Sequence, residues 1–234
     1  MFNFKKKFSK FDTDWRSTFV NGLNNPKIRK SAISHAYWMD HEILRKFYHN
    51  DHEICAGVFR SNQPSPCRIK LWHRRGIKTI INFRGESNQA AFLLEKEACE
   101  KFDIDLINFQ LYATKLPTRQ KLLDLEHIFS NVPHPFLMHC KSGSDRAGLG
   151  SALYFIYVLD APIEVAQRQL SIKYLHLGGW TAGILDYMLM QYRLAFEKSG
   201  IMFKHWVKTE YDELELTHGF LEFRKKNHLF KIPR

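Results

Sequence analysis

The period of the hydrophobic positions changes near residue 54. Before that point Ile28, Ala32, Tyr37, Leu44 and Phe47 recur at helical spacing. They follow Asn25-Pro26, a pair suited to capping a helix and opening its first turn. After that point short apolar or β-branched runs alternate with helical stretches. Strands are predicted at 54–59, 78–83, 105–111 and 135–139. Helices are predicted at 65–75, 88–102, from Thr118 through Phe129, at 147–159, from Pro162 to about Leu170, and at 181–198, with Gly76 and Gly200 as stops. This alternation predicts an α/β fold, a central mostly parallel sheet flanked by helices, with helical extensions at both ends of the chain. The run at 135–139, Pro-Phe-Leu-Met-His, is apolar enough to lie in the middle of such a sheet, covered on both faces. Ligands of open α/β sheets sit beyond the carboxyl ends of the strands, so the residues just after His139 are the first place to look for chemistry.

Those residues are Cys140-Lys141-Ser142-Gly143-Ser144-Asp145-Arg146-Ala147-Gly148. A Cys with an Arg six positions on is a weak signal alone. Its context sharpens it: the Cys ends a buried strand, the loop is short and rich in small residues, and the Arg opens a helix. A loop that enters a helix aims several backbone N–H groups at one point, and the helix dipole adds positive potential there. Gly143 permits the tight curvature of an anion cradle. Arg146 offers a planar fork for two phosphate oxygens. The same field favours a thiolate at Cys140, whose pKa is expected to fall from about 8.5 to somewhere in the range of roughly 3.5–7.5. A thiolate beneath a cradled phosphoryl group is placed for in-line attack. Expected chemistry is therefore phosphoryl transfer to Cys140 and hydrolysis of the phosphocysteine, with Lys141, Ser142, Gly143, Ser144, Asp145 and Arg146 holding phosphate. It calls for no metal and no cofactor, because amides and Arg146 stabilise the equatorial oxygens.

With these residues in place, the sequence resembles the cysteine-dependent protein tyrosine phosphatase superfamily, in particular its compact bacterial dual-specificity-like group. His-Cys-Lys-Ser-Gly-Ser-Asp-Arg-Ala-Gly at 139–148 resembles that group's phosphate-binding loop. Phe59-Arg60-Ser61-Asn62-Gln63-Pro64 is similar to its Arg-Ser-x-Gln-Pro segment, and 76–84 to its Gly-Ile-x-x-apolar-Asn-Leu-Arg strand. The resemblance covers about residues 54–196. It implies the three-layer phosphatase fold, with Cys140 as nucleophile and Arg146 as phosphate binder. It implies a phosphoprotein substrate, phosphotyrosine or dual-specificity. Relatives that act on inositol lipids often carry a Lys at the position of Lys141, so an anionic lipid headgroup, a phosphoinositide or a lipid A-like group, is the alternative. Two departures stand out. Many relatives have Ser or Thr where this chain has Ala147, which leaves Ser142 or Ser144 to assist the departing thiolate. The loop at 112–117, where the family keeps its Asp general acid, holds no carboxylate. Asp145, its pKa raised by the bound anion, is the first candidate acid and Glu86 the second. Against them stand an Asp145 turned outward onto a basic neighbour and a solvent-exposed Glu86. The same departures leave room for a non-catalytic phosphate-binding module. Arg60 and Arg84 are expected to form structural ion pairs, with loop orientation as the other reading. His139 is expected to be a buried hydrogen-bonding residue, and Gly178-Gly179-Trp180 a turn near the pocket.

Composition and charge alter this picture at its edges. The chain has 234 residues, 44% hydrophobic and 25% charged, so it is globular and not disordered. The division expected is a basic helical extension over 1–53, a phosphatase domain over 54–200 and a helical appendage over 201–234. Net charge is +11, and residues 1–50, with ten Lys/Arg against four Asp/Glu, carry most of the excess. Such a segment suits an anionic membrane surface or an acidic substrate, or is simply a solvated helical face; no spaced nucleic-acid motif accompanies it, so nucleic acid is not expected as a partner. Four scattered cysteines give no zinc-ligand spacing. No apolar stretch follows the basic start, so no secretory signal is expected. A cytoplasmic protein with reduced thiols, touching a membrane at most peripherally, is the expectation.

Overall fold

The computed structural model describes residues 12–20, 22–178 and 181–226. A helical stretch at 12–17 comes first, then α1 (Pro26–Trp38) and α2 (Glu42–Phe47). Five strands follow, β1 (His52–Cys55), β2 (Val58–Asn62), β3 (Thr79–Asn82), β4 (Asp105–Asn108) and β5 (Phe136–Cys140). Between and after them lie α3 (Pro66–Arg74), α4 (Ala90–Lys101), α5 (Arg119–Asn131), α6 (Asp145–Tyr157), α7 (Ile163–Gln167), α8 (Gly183–Ser199), α9 (Phe203–Thr209) and α10 (Glu213–Lys226). The predicted caps form: Asn25 accepts a hydrogen bond from the Lys27 amide, and Thr118 accepts one from Lys121. Gly76 and Gly200 end their helices at positive φ.

The sheet order is β1-β2-β5-β3-β4, parallel throughout except for β1, which runs antiparallel to β2. The strand predicted at 54–59 is in fact a hairpin. Gly57, at φ +75°, turns the chain, so β1 stops at Cys55 and β2 starts at Val58. β5 is central and buried at all five residues, as its apolar run requires. Its central place puts Cys140 at the carboxyl edge between Asn62, its register partner on β2, and the end of β3.

The main core lies between the sheet and α5, α6 and α8, through Phe83, Leu122, Phe129, Met138, Leu153 and Met188. Phe203, Trp206, Tyr211 and Phe220 of the C-terminal helices belong to this same core. A smaller cluster on the other face packs α3 and α4 against Ile80 and Leu137. Phe19, Ala32 and Ala36 dock on α4 through Ala90, Ala91 and Leu94, and Arg29 pairs with Glu97 at 2.7 Å, so α1 is fastened to the outer face of α4. Among the described residues no helix is long and apolar enough to cross a membrane.

Candidate active site

β5 delivers Cys140, and α6 begins five residues later at Asp145. The loop between them is held from behind, one residue after another. Asn50 Nδ2 donates to the carbonyl of Ser142 (3.1 Å) and to that of Tyr174 (3.0 Å). Arg60, wholly buried on β2, donates to the carbonyls of Gly143 (2.7 Å), Ser144 (3.1 Å) and Gln169 (2.8 Å) and lies 3.9 Å above the Tyr174 ring. Burial pulls its pKa down to about 10, partly offset by nearby Tyr174 and Cys140, so the guanidinium stays charged at neutral pH. These donors engage successive loop carbonyls from outside. Gly143 has φ +76°, and a Cβ there would meet the backbone of Ser61 and Asn62 at 2.8 Å, so glycine is required by conformation and by space. The Ser142 and Ser144 hydroxyls share a hydrogen bond of 2.9 Å.

Asp145 is turned onto a basic neighbour, away from the acid role proposed for it. Its carboxylate pairs with His176 Nδ1 at 2.7 Å, and His176 Nε2 lies 2.5 Å from Asp186 on α8. The ring is fully buried. Burial alone would lower its pKa, but the hydrogen bonds and charges of Asp145 and Asp186 outweigh that and push it up to about 9. The imidazole is therefore a cation at neutral pH, and Asp145 is its acceptor. Glu86, on the loop after β3, is exposed.

A second polar network lies on the other side of the loop. Arg84 forms the expected ion pair, bidentate to Asp40 at 2.8 Å, and also reaches Gln63 and Gln89. Arg45 and Lys141 complete the ring around Asp40, at 2.9 and 3.3 Å. Burial would raise Asp40, but Arg84, Arg45 and Lys141 together hold it at about 2. Arg60 departs from expectation: its partners are carbonyls, not a carboxylate, and it orients the loop. His139 is buried as expected, with Nε2 2.7 Å from Glu95, off the line of a good hydrogen bond. A cavity of about 360 Å³ opens beside Lys141, between it, Arg84 and Gln89 on one side and Asp12, Arg16 and His35 on the other. A larger cleft, about 550 Å³, lies at the far end of α6 around Tyr157 and Phe203, so size does not locate this site. Of the turn expected at 178–180, Gly179 and Trp180 lie outside the described residues.

Asn50, His176 and Asp186 are the loop-holding residues that sequence reasoning missed. Asp186 had a usable signal: it is a lone carboxylate in the apolar run Gly-Ile-Leu-Asp-Tyr-Met-Leu-Met, and a buried charge demands a partner.

A strand-ending Cys beneath a loop pinned by its carbonyls and entering a helix at Arg is the arrangement the sequence pointed to. Residues 44–170 match a family model described as a DSP-PTPase phosphatase fused to NAD+ kinase. The chain belongs to the DSP-PTPase phosphatase family. It is similar to the dual specificity protein phosphatase TpbA of Pseudomonas aeruginosa, 25% identical over 124 residues, which are 51% of this chain and 54% of that protein. The chain thus spans about half the length of the curated relatives it matches. Among solved structures it resembles Tk-PTP in its active form, with a TM-score of 0.50, 17% identity, and 62% of this chain and 98% of that one covered. A putative phosphatase from Shewanella putrefaciens CN-32 gives the same TM-score at 14% identity, with 63% and 95% covered. These likenesses show the DSP-PTPase fold. His176 and Asp186 fall beyond the matched stretch.

Proposed function

We propose that this DSP-PTPase hydrolyses phosphomonoesters through Cys140, and that it prefers aryl esters such as phosphotyrosine. The observation that carries the reading is the pinned loop: Asn50 and Arg60 draw its carbonyls outward, which leaves its amides for an anion seated above Cys140. Cys140 Sγ attacks phosphorus while the bond to the leaving oxygen breaks. Loop amides and Arg146 carry the charge on the equatorial oxygens. Water then attacks the phosphocysteine, which releases inorganic phosphate and restores the thiolate.

The preference for aryl esters follows from the carboxylates. Asp145 is bound to His176, and Asp40 is held ionised, so neither is poised to protonate a departing alkoxide. A phenolate leaves without such help. Hydrolysis of p-nitrophenyl phosphate and of glycerol phosphate tests this. The aryl ester should turn over at least about 100-fold faster, with activity lost in Cys140→Ser and Arg146→Ala. Equal rates on both esters would require an efficient acid and would restore Glu86 or Asp145 to that role. Phosphopeptide binding without any turnover would instead support the binding module.

A further inference from the structure

The surface around the catalytic mouth is built the wrong way round for water. In the segment that follows α7, Tyr174 and His176 face inward, to Arg60 and to Asp145, while Ile172, Lys173, Leu175 and Leu177 face out. On the other flank, residues 46–49 (Lys-Phe-Tyr-His) are all exposed, directly before the buried Asn50. Trp38, Leu44, Phe47, Ile172 and Leu177 are each between 61% and 86% exposed. Single exposed apolar residues are ordinary, but these fall on two short segments that both adjoin the loop after Cys140 through Asn50. Asn50 ties the two flanks together, because its side chain donates both to Ser142 in the loop and to Tyr174. The aromatic flank is itself continuous: Tyr37 stacks edge-on against Trp38 at 5.0 Å, and Lys46 lies 4.5 Å above the Tyr37 ring.

We propose that this rim of apolar side chains and lysines docks the catalytic face onto an anionic lipid surface. Protruding Phe, Trp, Leu and Ile interspersed with Lys match the interface of a bilayer, where aromatic rings lie at headgroup depth and each lysine gains from anionic lipid. Lys46 and Lys173 stand among the apolar residues, and Lys141 stands half-exposed at the mouth between the flanks. Asp12 and Arg16, from the helical stretch at 12–17, line the same cavity as Lys141. The charge sign fits: the whole chain carries +11, with its excess in the first fifty residues. The proposal rests on the phosphatase reading only in that the docked face is the catalytic one.

Vesicle flotation of the full chain tests it, with phosphatidylcholine alone and with phosphatidylcholine containing phosphatidylserine. The wild type should float with the mixed vesicles and not with the neutral ones. Phe47→Ser combined with Leu177→Ser should weaken binding about tenfold or more, since each removes one inserted apolar side chain. Met202→Ser, more than half open to solvent just beyond the C-terminal end of α8, should float like the wild type. All of these variants should hydrolyse p-nitrophenyl phosphate within about twofold of the wild-type rate, which reports an intact fold. A wild type that stays with the soluble fraction, or binds neutral and anionic vesicles alike, or a double variant that floats as well as the wild type, overturns the proposal. Flotation needs no turnover, so Cys140→Ser should float as well. Failure of the wild type to hydrolyse any ester would strike the phosphatase reading and leave the docking result standing.

Discussion

Gly143 and His176 constrain the loop after Cys140 in different ways. Gly143→Ala places a methyl group against the Ser61–Asn62 backbone in a left-handed conformation, which alone costs about 1–2 kcal/mol. Urea denaturation should show at least that loss, together with a drop of two orders of magnitude in aryl phosphatase activity as the loop shifts; unchanged activity would mean the loop tolerates displacement. His176 acts through charge. Its folded pKa, about 9, lies above its ordinary value of 6.5, so its contribution to stability is complete below about pH 6.5 and is lost as pH rises through 9. Thermal midpoints should therefore fall across that window in the wild type. The same fall should be absent in His176→Gln, and an identical profile in both would remove the ion pair from the account. Asp40 works in the opposite direction. Held at about 2 against 3.8, it stabilises the fold above about pH 3.8, and that support is lost as pH falls to 2. The Cys140–Arg146 pattern was legible because spacing and small residues announce it. Asn50 and His176 were not, because each is an isolated polar residue whose partners, two backbone carbonyls for Asn50 and two carboxylates for His176, lie elsewhere in the chain.

Among the elements, β5 and α6 position Cys140 and the loop after it, and both were legible: a strand apolar but for His139 and a helix without a charge from Ala147 on leave little choice of environment. The hairpin of β1 and β2 was not, since a single glycine within a β-branched run reads equally as part of one strand. The C-terminal helices raise a testable point. Trp206 is nearly fully buried against Tyr192, Phe203 and Tyr211, and the Tyr211 hydroxyl donates to Pro117 at 2.6 Å, on the loop where the family keeps its acid. Trp206→Ala should cost about 3–5 kcal/mol in denaturant unfolding. A loss below about 1 kcal/mol would mean that these helices pack only peripherally.

At the scale of the whole molecule, one end of the sheet gathers the chemistry. The N-terminal segment reaches it through Asp40 and Asn50, β2 through Arg60, β5 through Cys140 and the segment after α7 through His176. The α/β architecture and this end of the sheet followed from the alternation of strands and helices. The wrapping of the N-terminal segment around the site did not, because its contacts are polar and long-range and leave no period in the sequence. The central claim is that Cys140 takes the phosphoryl group. Acid quenching of the enzyme during turnover of p-nitrophenyl phosphate, followed by mass spectrometry of its peptides, tests it most directly. A phosphoryl adduct on the peptide holding Cys140, absent from Cys140→Ser, is the predicted result; turnover with no adduct, or turnover that survives in Cys140→Ser, would contradict it.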